Sequence, residues 1–528
     1  MPDTSTEGAD AGRPRLDGAV RGRPRHRLSH RRLVVIMTAL MLCLLLQALD
    51  QTMVALAMPR IVASLHGFDL YAWVVTAYVL GSTVLLPIAG RLSDQFGRKH
   101  FVLGGVVVFL IGSALSGQAD DMRHLVIFRA IQGAAAGAGI TMVYSVVGDL
   151  FEPRERAKWG GFFGAVYGFA SFAGPTLGGW LADNGPLLGH FITDATRWRW
   201  VFYIHLPFGV IALAMLAVVL PHDLSERITR ERGWAAVRRV DFGGAALSAA
   251  ATVCLMLALT WTSVDAKGWL SPRVLAGFAA AIALFTMFLR HERRTTAEAI
   301  LPRLFFQIRD YRNAASYGLL VGMIWLSVIF YLPLFLQGVV GQSATAAGIA
   351  MLPLTIAQSI YSSGVGYMLR RTSGRYRGWA TFGAAVLFLS IAGMTQMGAS
   401  SSEIMVSFLM IMIGVGIGVF MPVTSTLAQI VVPRSMLGAA TNSIGYLRSV
   451  GQMLGVALVG AIVQSSLGTH GTPLAVLRSG GKVEGLETAL QHGLAAIAVF
   501  AALLLVAVRL ARNISIFGEE GGRPPRAR

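Results

Sequence analysis

The stretch GRLSDQFGRKH, residues 90–100, is a charged interval between two apolar runs, and a looser copy, GYMLRRTSGRYRGW, stands at 366–379. A second pair keeps the same offset: EPRERAKWGG (152–161) is echoed by VPRSMLGAAT (432–441), again about 280 residues downstream. The chain therefore repeats itself, each copy holding six apolar runs with the echoed intervals after its second and fourth. Parallel six-helix halves are the architecture of a rocking secondary transporter, with the substrate site at their interface near mid-membrane.

Composition agrees. Of 528 residues 54% are hydrophobic and only 14% charged, with 60 Gly and a mean hydropathy of +0.61, well beyond a soluble domain. Runs of about 20 apolar residues fall near 33–57, 71–90, 101–118, 124–149, 158–181, 198–220, 241–262, 272–289, 314–336, 345–369, 378–397, 404–430, 437–465 and 490–511. The reading is an all-α polytopic membrane protein with 14 transmembrane helices: two six-helix bundles plus two inserted helices. Its expected parts are a basic tail (1–32), an N-terminal bundle (33–220), a linker carrying the two extra spans (221–312), a C-terminal bundle (313–512) and a second tail (513–528).

A formal charge of +18 could suggest nucleic acid, but Lys and Arg here sit in short segments between spans rather than on one folded face. They report topology: 35 of the 45 Lys and Arg lie in the N-tail and the alternate segments that follow it. By the positive-inside rule both termini are cytoplasmic in the plasma (inner) membrane, with anionic lipids near the basic tail. SHRRLVVIM (29–37) has the look of a twin-arginine signal, but the run is too long for an h-region and no small-residue cleavage site follows, so it opens span one. Cys43 and Cys254 lie inside apolar runs, which excludes a disulfide framework or a Cys/His metal site. No P-loop, no cytoplasmic segment long enough for a catalytic domain and no His/acid cluster appears, so an embedded enzyme or receptor, a cofactor and a metal are not expected. A monomer is.

Span one poses the chemical question. ALMLCLLLQALDQTMVALAM (39–58) carries a carboxylate, Asp50, with no cation beside it in sequence. A charge near the bilayer centre costs about 2.5 kcal/mol or more, so it is read as functional. Span four carries Arg129. Asp50 lies about 7 residues, roughly 10 Å, from the outer end of its span, and Arg129 about 5 residues, roughly 8 Å, from the outer start of its own. Asp149 and Asp241 at inner ends and Glu403 at an outer end suit structural pairing or snorkelling. Spans nine to fourteen otherwise lack acids, which points to neutral or singly charged lipophilic substrates.

These residues also resemble a family. GRLSDQFGRKH is similar to the G-x-L-x-D-x-x-G-R-K/R loop motif of the major facilitator superfamily, and the fourteen-span layout resembles its EmrB/QacA-type drug:proton antiporter branch over about residues 34–511. LDQTMVALAMPRI (49–61), RAIQGAAAG (129–137), GAVYGFASFAGPTLGGWL (164–181), WRWVFYIHLPFG (198–209) and YLPLFLQGVVGQSATAAGIAMLPL (331–354) resemble that branch's further motifs in order. Met53, Val54 and Ala55 stand where the branch more often has Ile-Val-Asn, and His205 where it usually has Asn.

The resemblance implies a major facilitator fold and a proton-coupled exporter of small lipophilic compounds; export of a native metabolite or lipid is the alternative. It implies that helices one and four pack together, so that Arg129 could pair with Asp50 in some states only. Burial favours the protonated acid and a guanidinium favours the carboxylate, so moving Arg129 or admitting water would switch proton affinity. A fixed pair that only joins two helices is the competing view, weakened because buried pairs are poor stabilisers.

In the loop, Asp94 could cap a helix N-terminus of the other half, that of span thirteen, and Arg98 could reach Asp149, with Gly90 and Gly97 permitting the turn. Simple positive-inside anchoring explains Lys99 and much of Arg91. Gly164 with Gly168, and Gly174 with Gly178, repeat a small-xxx-small spacing; Pro175 removes a backbone donor, and the string through Gly179 resembles the antiporter seal against proton leak. Gln51, Tyr78, Gln132, Tyr167, Trp325, Tyr446 and Arg448 are candidate cavity residues. Spans seven and eight carry no polar signature apart from Asp241 and are read as spacers.

Overall fold

A computed structural model of the chain describes residues 29–96, 98–151, 153–221, 241–264, 268–294, 301–371, 376–398, 401–432, 436–467 and 485–511. Apart from one isolated bridge between Leu188 and Ile192, regular structure among these residues is helical. The first group is α1 (His30–Leu65), α2 (Tyr71–Phe96), α3 (Arg98–Gln118), α4 (Met122–Leu150), α5 (Pro153–Asn184) and α6 (His205–Val219). An inserted pair follows, α7 (Phe242–Val264) and α8 (Pro272–Arg294). The second group is α9 (Arg309–Gly338), α10 (Leu352–Arg371), α11 (Tyr376–Met394), α12 (Glu403–Ile430), α13 (Leu437–Leu467) and α14 (Leu486–Leu510), with a short helix, Ala344–Ala350, leading into α10.

Side-chain oxygens start several helices. Asp121 accepts from His124 N at 2.7 Å ahead of α4, and Asp241 accepts from Gly244 N at 2.8 Å ahead of α7. The exposed Asp121 carboxyl is held below its ordinary range, chiefly by that amide.

The repeat legible in sequence recurs in the packing. α1 packs on α5 and α6, α2 on α4, and α3 on α4 and α6; eight helices on, α9 packs on α13 and α14, α10 on α12, and α11 on α12 and α14. Corresponding glycines make corresponding seams. A Cβ on Gly133 or Gly137 of α4 would strike the α2 carbonyls of Tyr78 or Ser82, and one on Gly414 or Gly418 of α12 would strike those of Leu354 or Gln358 on α10. Such close backbone approach is how helices associate where lipid offers no hydrophobic drive. Large apolar side chains such as Ile111, Ile127, Val210, Ile282, Leu389 and Leu503 point outward, where bilayer tails rather than water would cover them.

Among the described residues, twelve helices are long and apolar enough to cross a membrane. The fourteen spans expected from sequence are therefore not reached on length and composition. The two that fall short are α4 and α5, of 29 and 32 residues. α5 is rich in Gly, with Ser171, Pro175 and Thr176, so small and polar residues dilute it, whereas the second half of α4 carries side chains that lie outside the described residues.

The inserted pair is more than a spacer. α7 packs on both α2 and α13 and so lies along a seam between the two groups, while α8 packs on α7. Trp73 of α2 donates its indole N–H to Thr260 of α7 at 2.7 Å, and Met256 and Leu259 pack on Ala457 and Ala461 of α13. At the other end of α7, His291 of α8 stands 2.6 Å from Asp241.

Candidate functional site

α1 places Asp50 on its inner face, fully buried, where α4 delivers Arg129, also fully buried. Arg129 Nη1 donates to both carboxylate oxygens, at 2.9 Å to Oδ1 and 2.7 Å to Oδ2. Gln132, one helical turn along α4, closes the triangle: its Oε1 accepts from the same Nη1 at 2.6 Å and its Nε2 donates to Asp50 Oδ1 at 3.1 Å. From α2, the Val74 carbonyl lies 3.5 Å from Arg129 Nε and the Tyr78 ring faces the guanidinium at 4.2 Å.

This differs from a two-nitrogen fork. One nitrogen makes the contacts to the acid and to Gln132, and Nη2 is buried without a hydrogen-bond partner. A bidentate fork engages two parallel N–H groups and is the stronger geometry. Arg129 instead retains an unused donor edge, which lowers the cost of rotating it away from Asp50 and suits a pair that exchanges partners better than one that only stabilises.

Gln132 and Tyr78, expected as cavity residues, thus belong to the shell around the ion pair. Tyr446 departs further: its ring faces Phe288 of α8 at 6.2 Å, so it looks toward the inserted pair. Gln51, Tyr167, Trp325 and Arg448 are half-buried, and Arg448 points its guanidinium at the Met421 sulfur of α12, 3.6 Å away.

The loop of the expected gate is shorter than sequence spacing suggests. α2 continues to Phe96 and α3 begins at Arg98, so Gly90, Arg91 and Asp94 stand in the last turns of a helix and Gly97 alone separates the two. The side chains of Arg91, Asp94 and Asp149, with Gly97, lie outside the described residues. Arg98 is buried. Lys99 does more than anchor: only 6% exposed, it donates Nζ to the Ala217 carbonyl in the last turn of α6 at 2.7 Å, where a helix terminus attracts a cation.

Along α5 the glycines divide. Gly164 lies outside the described side chains, and Gly168 faces open space. A Cβ on Gly174 would overlap the Thr52 hydroxyl of α1, and one on Gly178 would stand 2.6 Å from Met53 Cα. Gly179 and Pro175 reach into the second group: a Cβ on Gly179 would overlap the Ala344 carbonyl, and one on Gly348 would overlap that of Pro175.

Asp183, a turn further along α5, clasps the same junction. Its Oδ1 pairs with Arg60 of α1 at 2.9 Å and its Oδ2 accepts from Thr345 N at 2.7 Å and Thr345 Oγ1 at 2.8 Å. Gln337 to the Leu56 carbonyl (2.9 Å), Tyr71 to that of Phe330 (3.0 Å) and Gln464 to that of Phe68 (2.9 Å) join the groups at the same end. The groups are locked together where α1 ends and α2 begins. Asp183→Ala is expected to raise the labelling rate of a Thr176→Cys reporter about tenfold, a shift of about 1.4 kcal/mol, read with an impermeant maleimide after Cys43 and Cys254 are replaced by Ala. An unchanged rate means that Asp183 is no latch.

Residues 40–456 match the Major Facilitator Superfamily. The chain belongs to it. Its relatives include the multidrug transporter protein MdtP of Bacillus subtilis (strain 168), 33% identical over 434 residues, which are 82% of this chain and 76% of the relative. The multidrug resistance protein 3 of the same organism is 33% identical over 427 residues, 81% of this chain and 79% of the relative. Among solved structures, the fold resembles a bacterial homolog of the human lysosomal transporter Spinster, captured inward-facing and unoccupied, with a TM-score of 0.65, 17% identity and coverage of 91% of this chain and 98% of that one. At that identity the likeness shows the fold alone.

Proposed function

We propose that the chain is a proton-coupled multidrug efflux antiporter of the fourteen-helix EmrB/QacA-type branch, exporting lipophilic neutral or cationic compounds by alternating access. The observation that carries this is the fully buried Asp50–Arg129–Gln132 triangle, an ion pair with a spare donor edge in a membrane superfamily whose similar members include multidrug transporters. In this reading α4 and α5 also cross the bilayer, residues 33–220 and 313–512 are the rocking bundles, and residues 221–312 brace one seam. The protein acts as a monomer in the plasma (inner) membrane with both termini cytoplasmic.

The positive-inside rule makes the locked end the outer one, so the described state is closed to the outside, with Asp50 paired to Arg129. Substrate enters from the cytoplasmic side. When the bundles rock, Arg129 turns to other acceptors, water reaches Asp50 from outside, and the acid takes a proton, which it surrenders inside when Arg129 returns. Entry of one proton is worth about 2.3 kcal/mol per 100 mV and about 1.4 kcal/mol per pH unit. One proton exchanged for a neutral molecule feels both; exchanged for a monocation it feels only the pH gradient.

The test is intraliposomal pH in proteoliposomes under an imposed pH gradient while lipophilic cations and neutral compounds are added. Proton movement that follows particular compounds is expected. A protein that binds the panel but moves no protons with any of it overturns the antiport reading.

A further inference from the structure

His205, fully buried at the start of α6, is a titratable group that the coupling scheme above leaves unused. Its Nδ1 stands 3.1 Å from the Phe202 carbonyl oxygen and 3.3 Å from the Ser113 hydroxyl of α3, which itself donates to that carbonyl at 2.9 Å. A carbonyl only accepts, so the tautomer with its hydrogen on Nδ1 donates to Phe202 and leaves Nε2 a bare lone pair. Nε2 is buried and makes no hydrogen bond.

A second acceptor faces the ring from α1, the carbonyl of Leu46. A neutral imidazole has one N–H and can donate to only one of these two carbonyls, each of which also accepts from another donor; the imidazolium donates from both nitrogens. Leu46 lies one turn before Asp50, so its carbonyl is also the acceptor of Asp50's own helical N–H. The charged groups around the ring are Asp50 from α1 and Arg129 from α4, and Phe109 of α3 sets its ring edge-on at 5.7 Å. Phe202, whose carbonyl anchors Nδ1, also lays its ring 5.7 Å from the Arg129 guanidinium carbon. The histidine is thus built into the same shell as the ion pair, with a basic nitrogen that nothing in that shell satisfies.

We infer that His205 is a second proton-binding site of the transport cycle, so that two protons enter for each substrate exported. This rests on the antiport reading above. The proton adds to the Nε2 lone pair, forming an N–H that the Leu46 carbonyl accepts, and leaves by the same bond to water on the inner side. It can be taken up with the Asp50–Arg129 bond intact, because the Asp50 carboxylate then lies between two cations. Asp50 takes the second proton once Arg129 withdraws. The described state, with Nε2 bare and Asp50 paired, is the fully discharged one. Two protons against one monocation move net charge, so the membrane potential drives export that a single proton would leave to the pH gradient alone.

The experiment is the limiting concentration gradient of ethidium, a monovalent lipophilic cation, held by proteoliposomes at a pH difference of one unit with the membrane potential clamped to zero. Two protons sustain about a 100-fold gradient and one about tenfold. Wild type is expected near 100-fold, His205→Asn near tenfold, and Ser113→Ala, which leaves Nε2 untouched, near 100-fold. Energy-independent ethidium exchange shows whether the Asn variant is folded, and His205→Gln replaces it where it is not. A tenfold limit in wild type overturns the inference without any variant, as does an unchanged limit in a folded His205 variant. A wild type that moves no protons with ethidium or any other compound of the panel removes the antiport reading, and this inference with it.

Discussion

Asp50→Asn is expected to lower substrate-driven proton movement at least about 100-fold, about 2.7 kcal/mol, while ethidium exchange between the two faces of the bilayer survives. The asymmetry follows from what the substitution keeps. Asparagine is nearly isosteric and retains an acceptor for Arg129 Nη1, so the seam of α1 with α4 and the contacts of Gln132 persist in outline. It removes the one property that an exchanger needs, a group that binds and releases a proton. The guanidinium, fully buried, also loses its counter-charge, and breaking such a pair from one side costs about 3–5 kcal/mol. The variant is therefore expected to melt at a lower temperature, and Asp50→Asn combined with Arg129→Gln to recover the melting temperature without recovering proton movement. Proton flux and stability, measured on the same preparations, separate a coupling acid from a structural one. If the single variant loses stability but moves protons like wild type, Asp50 only holds helices together.

Gly179→Val is expected to abolish net export by denying the protein its described state. In that state α5 and the second group meet backbone to backbone, with Gly179 against the Ala344 carbonyl and Gly348 against that of Pro175. These are main-chain atoms at a helix junction, so they cannot swing aside as a flexible side chain would. A valine side chain there must hold the two groups apart at that end, which the proposed reading places outside. The expected phenotype is an outward-open protein: the Thr176→Cys reporter labels at the rate of an exposed thiol, cytoplasmic substrate is no longer exported, and the melting temperature falls only modestly because each bundle keeps its own core. Gly168→Val, at a position facing open space, is the control and should export within about twofold of wild type. Equal loss in both variants would show that α5 fails from helix propensity and not from contact between the groups.

Much of this was legible before any coordinates. The two echoed intervals gave the repeat, and the structure repeats its helix contacts and its glycine seams at the same offset of about 280 residues. The isolated acid and arginine were visible because lipid makes an ionised group conspicuous, and depth along two antiparallel spans set them level. What sequence could not supply was direction around a helix axis. Tyr446 and Arg448, two residues apart, necessarily face different ways; Tyr446 turned toward the inserted pair. Gln132 is a candidate cavity residue in sequence, and its place beside the ion pair follows from its spacing, since a polar residue one turn from Arg129 lies on the same helix face. In sequence His205 stands out only as a departure from a motif; the two carbonyls that give it meaning come from α1 and from its own leading turn. Asp183 had no signal at all: its partners, Arg60 and Thr345, are 123 and 162 residues away in sequence.

The central claim is that proton and substrate are bound alternately, with Asp50 as the exchanging acid. Its most direct test is the number of protons released when ethidium binds the purified protein in detergent, obtained by calorimetry in buffers of different ionisation enthalpy between pH 5 and 8. Wild type should release protons on binding, with affinity falling as pH is lowered, and Asp50→Asn should release at least one fewer. Binding that is independent of buffer and pH in wild type, or identical proton release in Asp50→Asn, contradicts the account.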